Sequence, residues 1–374
     1  MSEKEKYMRR ALELARLGEG YVSPNPMVGC VIVKDGQIIS EGYHERYGGN
    51  HAERNALLSC TDDAEGADLY VTLEPCCHHG KTPPCTDIIL EKKIGRVFVG
   101  CTDPNPKVAG KGIQILKDHG LVVETGLLEE ECLKLNEVFF HYISSGRPFV
   151  VMKYAMSLDG KIACSTGDSK WITGKDAREH VHALRKRYSS ILVGINTVIN
   201  DNPMLDCRIE SGVNPVRIIC DSSLRIPLDS RIMKTANDIS TIIACSESAL
   251  EQPDLIEKAD SLRALGAEVL PCGKHSVDLP LLFDLLGEKK IDSVLVEGGG
   301  TIHGSLRDQH LIDKVYAYIG GTLIGGKTAP GPVKGIGASY MDESISLENM
   351  TITEFKNDFL IAGTPVYRSS KGGT

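Results

Sequence analysis

A histidine, a glutamate two positions on and two later cysteines have the clearest chemistry in the chain: His51-Ala52-Glu53, then Pro75-Cys76, then Cys85. Zinc binds imidazole nitrogen and cysteine thiolate readily, and a catalytic zinc keeps three protein ligands with a fourth position open. His51, Cys76 and Cys85 would be those three. Glu53 falls on a different face of the same helical turn, better placed to carry a proton than to complete the coordination. Zinc lowers the pKa of a water in the open position to about 7. A neighbouring carboxylate can take that proton and pass it to a leaving amine. The combination suits hydrolytic removal of an amino group from a pyrimidine or purine.

His-x-Glu followed by Pro-Cys-x-x-Cys is the pattern of zinc-dependent nucleobase deaminases. The spacing here departs from it, because eight residues, Cys77 to Pro84, separate the two cysteines. They must loop out beside the metal. His51 and Cys85 each open a helix, where the positive end of the dipole favours thiolate. Two plainer readings stand beside this one. The residues could be ordinary core groups, since cysteine is commonly buried without function. Or the zinc could be structural, with Cys77 or His78 as fourth ligand, in a regulatory module indifferent to replacement of Glu53.

The elements that must hold these residues follow from periodicity. Residues 4–18 repeat apolar groups at helical spacing, and Ser23-Pro24-Asn25-Pro26 ends that helix. Val28 to Val33 reads as a buried strand, Asp35-Gly36 as a hairpin turn and Gln37 to Tyr43 as its return. A helix from His51, a strand from Leu69 to Leu73, a helix from Thr86 to Lys93, a strand from Arg96 to Gly100 and a helix from Gly112 to His119 then alternate. The pattern predicts a sheet between helices. One further helix is expected over Glu129 to Ile143, and Ser144 to Pro148 as a linker. Phe149 to Tyr154 restarts the α/β alternation, so two domains are expected, 1–145 and 146–374.

Length and composition agree. A chain of 374 residues, 41% hydrophobic and 25% charged, is long for one core and ordinary for a globular protein. A net charge of −8 and 5% aromatic residues count against a nucleic-acid deaminase with an appended binding domain. Arg185-Lys186-Arg187 is the longest basic run. No secretory signal opens the chain and no stretch is apolar enough to span a membrane. A cytoplasmic protein with reduced thiols is expected, with no membrane partner.

Longer stretches carry a resemblance. Ser23 to Gly29, Gly49 to Glu53, Thr72 to Cys85, Asp103 to Val108 and Met152 to Lys161 resemble the bifunctional deaminase/reductase family of riboflavin biosynthesis, over roughly residues 4–367. The wide cysteine spacing is normal in that family. The resemblance implies an N-terminal three-layer domain similar to cytidine deaminases and a C-terminal α/β domain similar to dihydrofolate reductase. The first would deaminate a diaminopyrimidinone bearing a ribosylamino 5′-phosphate with one Zn2+. The second would reduce the ribosyl group to ribityl with NADPH. Asn25, His44, Ala52, His78, Lys81 and Asn105 would then contact the deaminase substrate. The plainer readings are turn positions for Asn25 and Asn105 and an exposed surface residue for His44. The family also suggests a homodimer or homotetramer, through the reductase domain.

In the second half no Gly-x-Gly-x-x-Gly follows the first strand. The phosphate candidate is the strand running into Gly298 and then Gly299, Gly300, Thr301, Ile302, His303, Gly304 and Ser305, where backbone N–H groups and a helix N-terminus could meet an anion. The resemblance places these residues, with Ala155, Trp171, Thr197, Asp201 and Ser223, near NADP. It places Ser169, Arg185, Leu205, Arg208 and Glu297 near the substrate. Arg185 and Arg208 suit phosphate clamps, and the lone tryptophan, Trp171, could equally be a core aromatic. Lys153 and Glu297 are the candidates to polarise or protonate the reacting carbon–nitrogen bond. Gly325-Gly326-Lys327-Thr328 lacks the first glycine and the helix of a P-loop, so triphosphate binding is not expected.

Overall fold

The computed structural model describes residues 2–78, 83–105 and 108–367. The chain forms two compact units, residues 1–146 and 147–374. The first contains α1 (Glu3–Arg16), β1 (Gly29–Lys34), β2 (Gln37–Tyr43), α2 (Ala52–Ser59), β3 (Asp68–Leu73), α3 (Cys85–Glu91), β4 (Arg96–Cys101), α4 (Lys111–Asp118), β5 (Val122–Thr125), α5 (Glu129–Leu135) and α6 (Glu137–Ser145). Its five strands are ordered β2-β1-β3-β4-β5. The β1 strand runs antiparallel to both neighbours, whereas β3, β4 and β5 are parallel.

Ser2 starts α1 with a capping box. Its hydroxyl accepts from the Glu5 amide, and the Glu5 carboxylate accepts from the Ser2 amide. The helix then buries Met8, Ala11, Leu12 and Ala15 on the sheet. The short α2 lies across β2 so closely that a Cβ on Gly42 would come within 2.4 Å of the Ala56 amide. That approach fixes the helix that presents His51 and Glu53. The expected single helix over 129–143 is broken in two at Asn136. Its side chain accepts from the Met27 amide at 2.8 Å and donates to the Met27 carbonyl at 2.9 Å. The second of these helices runs on to Ser145, two residues into the expected linker, and Gly146 closes it at φ 72°.

The second unit contains β6 (Phe149–Ser157), α7 (Lys175–Arg187), β7 (Ser190–Gly194), α8 (Ile195–Asp201), β8 (Val216–Cys220), α9 (Arg231–Lys234), β9 (Thr241–Cys245), α10 (Pro253–Ala264), β10 (Glu268–Pro271), α11 (Leu279–Glu288), β11 (Ser293–Gly298), α12 (Gly300–Asp308), β12 (Lys314–Gly320), β13 (Ser346–Phe355) and β14 (Asp358–Val366). They build a nine-stranded sheet ordered β10-β9-β8-β7-β11-β6-β12-β14-β13. It is parallel except where β14 pairs with β12 and β13. Alternate residues of the strands feed two cores. Ile218 and Val294 join one with α11, and Ile219 and Ile191 join the other with α8, α9 and α10.

Arg217, on β8, is wholly buried and forms no ion pair among the described residues. Its guanidinium donates to the carbonyls of Met204, Ile232, Thr235 and Ile239 and to the hydroxyls of Thr235 and Thr241. Burial pushes its pKa down to about 10. These bonds tie the chain after α8 to the segment around α9. All twelve cysteines are free. Among the described residues no helix is long and apolar enough to cross a membrane.

Candidate active site

His51, Cys76 and Cys85 converge although Cys85 lies 34 positions beyond the histidine. The β3 strand delivers Cys76 just past its end, and α2 and α3 present His51 and Cys85 at their N-terminal ends. Nδ1 of His51 is 3.4 Å from each sulfur, and the three ligand atoms lie within 4.8 Å of one another. The Cys85 amide also donates to the Cys76 sulfur at 3.3 Å. Among the described residues the group has three members, and neither Cys77 nor His78 joins it. Their electrostatics conflict without a cation. Hydrogen bonding from Cys85, and then from His51, pulls the Cys76 thiol down, and the same contact pushes Cys85 up. A divalent cation resolves that conflict by accepting both sulfurs as thiolates. One nitrogen and two sulfurs at this separation fit zinc with a position left open.

A cavity of about 160 Å³ opens beside the cluster. Asn25, His44, His51, Glu53, Glu74, Cys76, His78, Asp103 and Asn105 supply its polar lining. Glu53 is buried, and burial followed by the charge of Cys76 raises its carboxyl to about 7. It is therefore poised to exchange a proton at neutral pH. His44 is not the exposed residue that its place after a strand suggested; it is 2% exposed. Its Nδ1 faces the Asn50 carbonyl at 2.9 Å and its Nε2 faces Asn25 Nδ2 at 3.1 Å. A carbonyl only accepts, so Nδ1 carries the proton and Nε2 accepts from Asn25. Burial lowers the His44 pKa, which keeps that neutral form. The Asn25 amide is thereby oriented, with its oxygen left for another donor.

Asn25 and Asn105 are also turn residues, through amide bonds to the Val22 carbonyl and the Asp103 carboxylate, and both still line the cavity. Ala52 buries its methyl group, so only its backbone could meet a ligand. His78 reaches the cavity with a buried Nδ1 that has no partner among the described residues. Lys81 lies outside the described residues. Burial raises the Asp103 carboxyl to about 6.

In the second unit the singled-out residues collect at the C-terminal ends of parallel strands, where α/β sheets place ligands. Lys153 and Ala155 are on β6, Thr197 and Asp201 on α8 after β7, Ser223 after β8, and Glu297 and Gly299 at the end of β11. Lys153 and Glu297 are neighbours across the β6–β11 pair, with Nζ 3.7 Å from Oε2. Arg185, on α7, grips the same carboxylate at 2.7 and 2.9 Å and donates to the Asp206 carbonyl at 2.9 Å. Burial alone would raise Glu297; Arg185 and Lys153 overcome it and hold the carboxyl at about 2. Burial lowers the pKa of Lys153, whose ammonium also lies 5.5 Å from the centre of the Tyr318 ring.

Several expectations change here. Arg185 is engaged with Glu297, not held free as a phosphate clamp. Glu297 is held ionised by Arg185 and Lys153. The Leu205 side chain is in the core, leaving only its backbone to meet a ligand. Arg208 is exposed and 3.4 Å from the Asp206 carboxylate. In the glycine-rich turn, Gly299 caps α12 at φ 89° and Thr301 is exposed. His303 and Gly304 are buried instead. His303 faces the carbonyls of Pro332 and Val296, and Gly304 packs on the backbone of Lys334. Ile302 packs on Gly194, and Gly300 and Ser305 lie within the same first turns. Trp171 is 67% exposed, so it is no core aromatic, and the Arg178 guanidinium stacks on it at 4.4 Å. Ser169 lies two residues before it, half-buried. Glu74, Asp206 and Tyr318 had no sequence signal beyond their neighbours.

Known proteins match this arrangement in both halves. The family model of the cytidine and deoxycytidylate deaminase zinc-binding region matches residues 1–101, and that of the RibD C-terminal domain matches residues 148–361. The riboflavin biosynthesis protein RibD of Actinobacillus pleuropneumoniae is 49% identical over 95% of this chain and 93% of its own. That of Bacillus amyloliquefaciens is 43% identical over 96% of each. The crystal structure of a diaminohydroxyphosphoribosylaminopyrimidine deaminase/5-amino-6-(5-phosphoribosylamino)uracil reductase from Thermotoga maritima superposes with a TM-score of 0.85 at 40% identity, over 97% of this chain and 99% of that one. A zinc-binding deaminase unit followed by a reductase unit, related over nearly its full length to these proteins, places the chain in the RibD family of bifunctional deaminase/reductases of riboflavin biosynthesis.

Proposed function

We propose that the first unit hydrolyses the amino group of 2,5-diamino-6-ribosylamino-4(3H)-pyrimidinone 5′-phosphate. The second unit then reduces the ribosyl side chain with NADPH to give 5-amino-6-ribitylaminouracil 5′-phosphate. The observation that carries the first step is a buried carboxyl, Glu53, lining a cavity beside a three-ligand cluster. Zinc held by His51, Cys76 and Cys85 supplies Lewis acidity toward the attacking water. Glu53 takes a proton from that water as its oxygen bonds to the amino-bearing carbon, then delivers it to the nitrogen as the carbon–nitrogen bond breaks and ammonia leaves. Asn25, oriented by His44, and Asn105 meet the polar edges of the pyrimidine, and the Ala52 amide completes them. His78 and Lys81 meet the phosphate.

NADPH supplies the hydride in the second unit, with Ala155, Trp171, Thr197, Asp201, Ser223 and the 299–305 turn around it. The backbone of the turn and its exposed Thr301 face the cofactor, and the buried His303 and Gly304 hold the turn in place. Lys153, with its lowered pKa, gives a proton to the side-chain nitrogen of the opened ribosyl group as hydride reaches C1. Glu297 orients Lys153. Ser169, Arg208 and the Leu205 backbone hold the substrate. The protein works in the cytoplasm as a homodimer or homotetramer.

The test is ammonia release and NADPH oxidation by the zinc-loaded protein given the diaminopyrimidinone ribotide. Glu53→Gln abolishes ammonia release and leaves NADPH oxidation with the deaminated intermediate intact. Normal ammonia release by that variant would overturn the reading.

A further inference from the structure

Glu74, the last residue before Pro75-Cys76, is buried and carries no role in the reaction above. Its carboxylate accepts four backbone N–H groups. Oε2 takes those of Asp103 at 3.2 Å and Gly110 at 2.9 Å, and Oε1 takes those of Gly112 at 3.0 Å and Ile113 at 3.2 Å. Two of these donors belong to the first turn of α4, whose amides have no partner within the helix. A carboxylate there also meets the positive end of the helix dipole. The other two belong to the chain between β4 and α4, which brings Asp103 and Asn105 to the cavity. The α4 terminus sits so close that a Cβ on Gly112 would overlap the Pro75 carbonyl oxygen at 2.0 Å.

We propose that Glu74 is a positioning residue for the deaminase site. Building on the deaminase reading, it ties the β3 end that delivers Cys76 to the loop that delivers Asn105, and so sets the distance between metal and substrate-binding edge. Only a carboxylate has four acceptor positions in one plane for four converging amides. Glutamine keeps the shape but turns an NH2 group toward two N–H groups. Aspartate is one methylene short.

The test uses the full-length, zinc-loaded protein. In Glu74→Gln, zinc stays at one per chain, and amides at the start of α4 exchange faster with deuterium. KM for the diaminopyrimidinone ribotide rises about tenfold or more, since hydrogen bonds to a charged acceptor are lost, while kcat changes far less. NADPH oxidation with the deaminated intermediate is unchanged. In an Asn105→Ala background Glu74→Gln adds little to KM, because the group being positioned is gone. Unchanged KM, fully additive KM effects or loss of zinc from Glu74→Gln would each overturn the proposal. If the unaltered protein releases no ammonia from this substrate, the deaminase reading fails and the proposal with it. Amide exchange then shows separately whether Glu74 holds α4. Should Glu74→Gln not fold, Gly112→Ala strains the same clasp from its other side, and a normal KM there is equally fatal.

Discussion

Two buried glutamates, one in each unit, make opposite use of burial. Glu53 has no Lys or Arg paired with it among the described residues, and in the metal-free chain burial lifts its carboxyl to about 7. Glu297 is nearly as deep, its side chain 8% exposed, but Arg185 and Lys153 flank it and hold it at about 2. One is a group that exchanges protons at neutral pH; the other is a fixed charge. The residue type is the same, and the neighbours decide the role. In the proposed reduction the contrast favours the lysine as proton donor, since burial lowers its pKa.

The largest effect expected from breaking this contrast is on the mobile proton. Glu53→Gln removes it at unchanged volume, and the rate of ammonia release falls by about 10²–10⁴-fold. Zinc content and NADPH oxidation with the deaminated intermediate are the controls. The fixed charge responds in stability as well as rate. Glu297→Gln leaves Lys153 and Arg185 buried together without a carboxylate, which costs about 3–5 kcal/mol. Trp171 is the only tryptophan in the chain and lies in the second unit, so urea unfolding followed by its fluorescence reads that cost where it arises.

pH sharpens the contrast with a smaller effect. The folded second unit prefers Glu297 ionised, since its pKa falls from 4.5 unfolded to about 2 folded. Its contribution, about 3 kcal/mol, is therefore complete above pH 4.5 and lost as pH falls toward 2. Asp103 in the first unit runs the other way. Its pKa rises from 3.8 to about 6, so its contribution is complete below 3.8 and lost as pH rises through 6. Amide exchange followed separately in the two units between pH 3 and 7 should show these opposite slopes, and Asp103→Asn should reduce the first, to which Glu53 also contributes. A shared slope would mean that burial at Asp103 and the two cations at Glu297 do not set these carboxylates.

How much of this could be read beforehand depended on how local the cause was. His51, Glu53, Cys76 and Cys85 were legible because ligand type and spacing state the chemistry directly. The strands of both sheets, β5 apart, were legible from apolar runs such as Ser293 to Glu297. The β13–β14 hairpin was not, because β13 is exposed along most of its length and carries no alternation. Glu74 was invisible for another reason: its partners are amides at Asp103, Gly110, Gly112 and Ile113, which no side-chain pattern marks. Arg185 was visible, but its carboxylate partner was not. Its type suits a phosphate, yet the fold places it 2.7 Å from a carboxylate 112 positions away. Arg217 is similar, a cation solvated by carbonyls from four separate residues.

The smallest expected effect concerns Trp171, where structure and function separate cleanly. Its ring is exposed and touches Arg178 through one surface cation–π contact, worth about 0.5–1 kcal/mol. Trp171→Ala should therefore lower the melting temperature by only about 2–4 °C. A residue facing the nicotinamide cofactor would instead show itself in binding, with KM for NADPH raised several-fold and the deaminase step unchanged. Trp171→Phe keeps a face for the cofactor and should recover most of that loss. The unaltered chain offers a check without mutation. Because no other tryptophan contributes, NADPH bound beside the indole should quench its emission in a saturable titration. A flat titration with normal turnover would move the cofactor away from this ring and leave the exposed indole as surface alone.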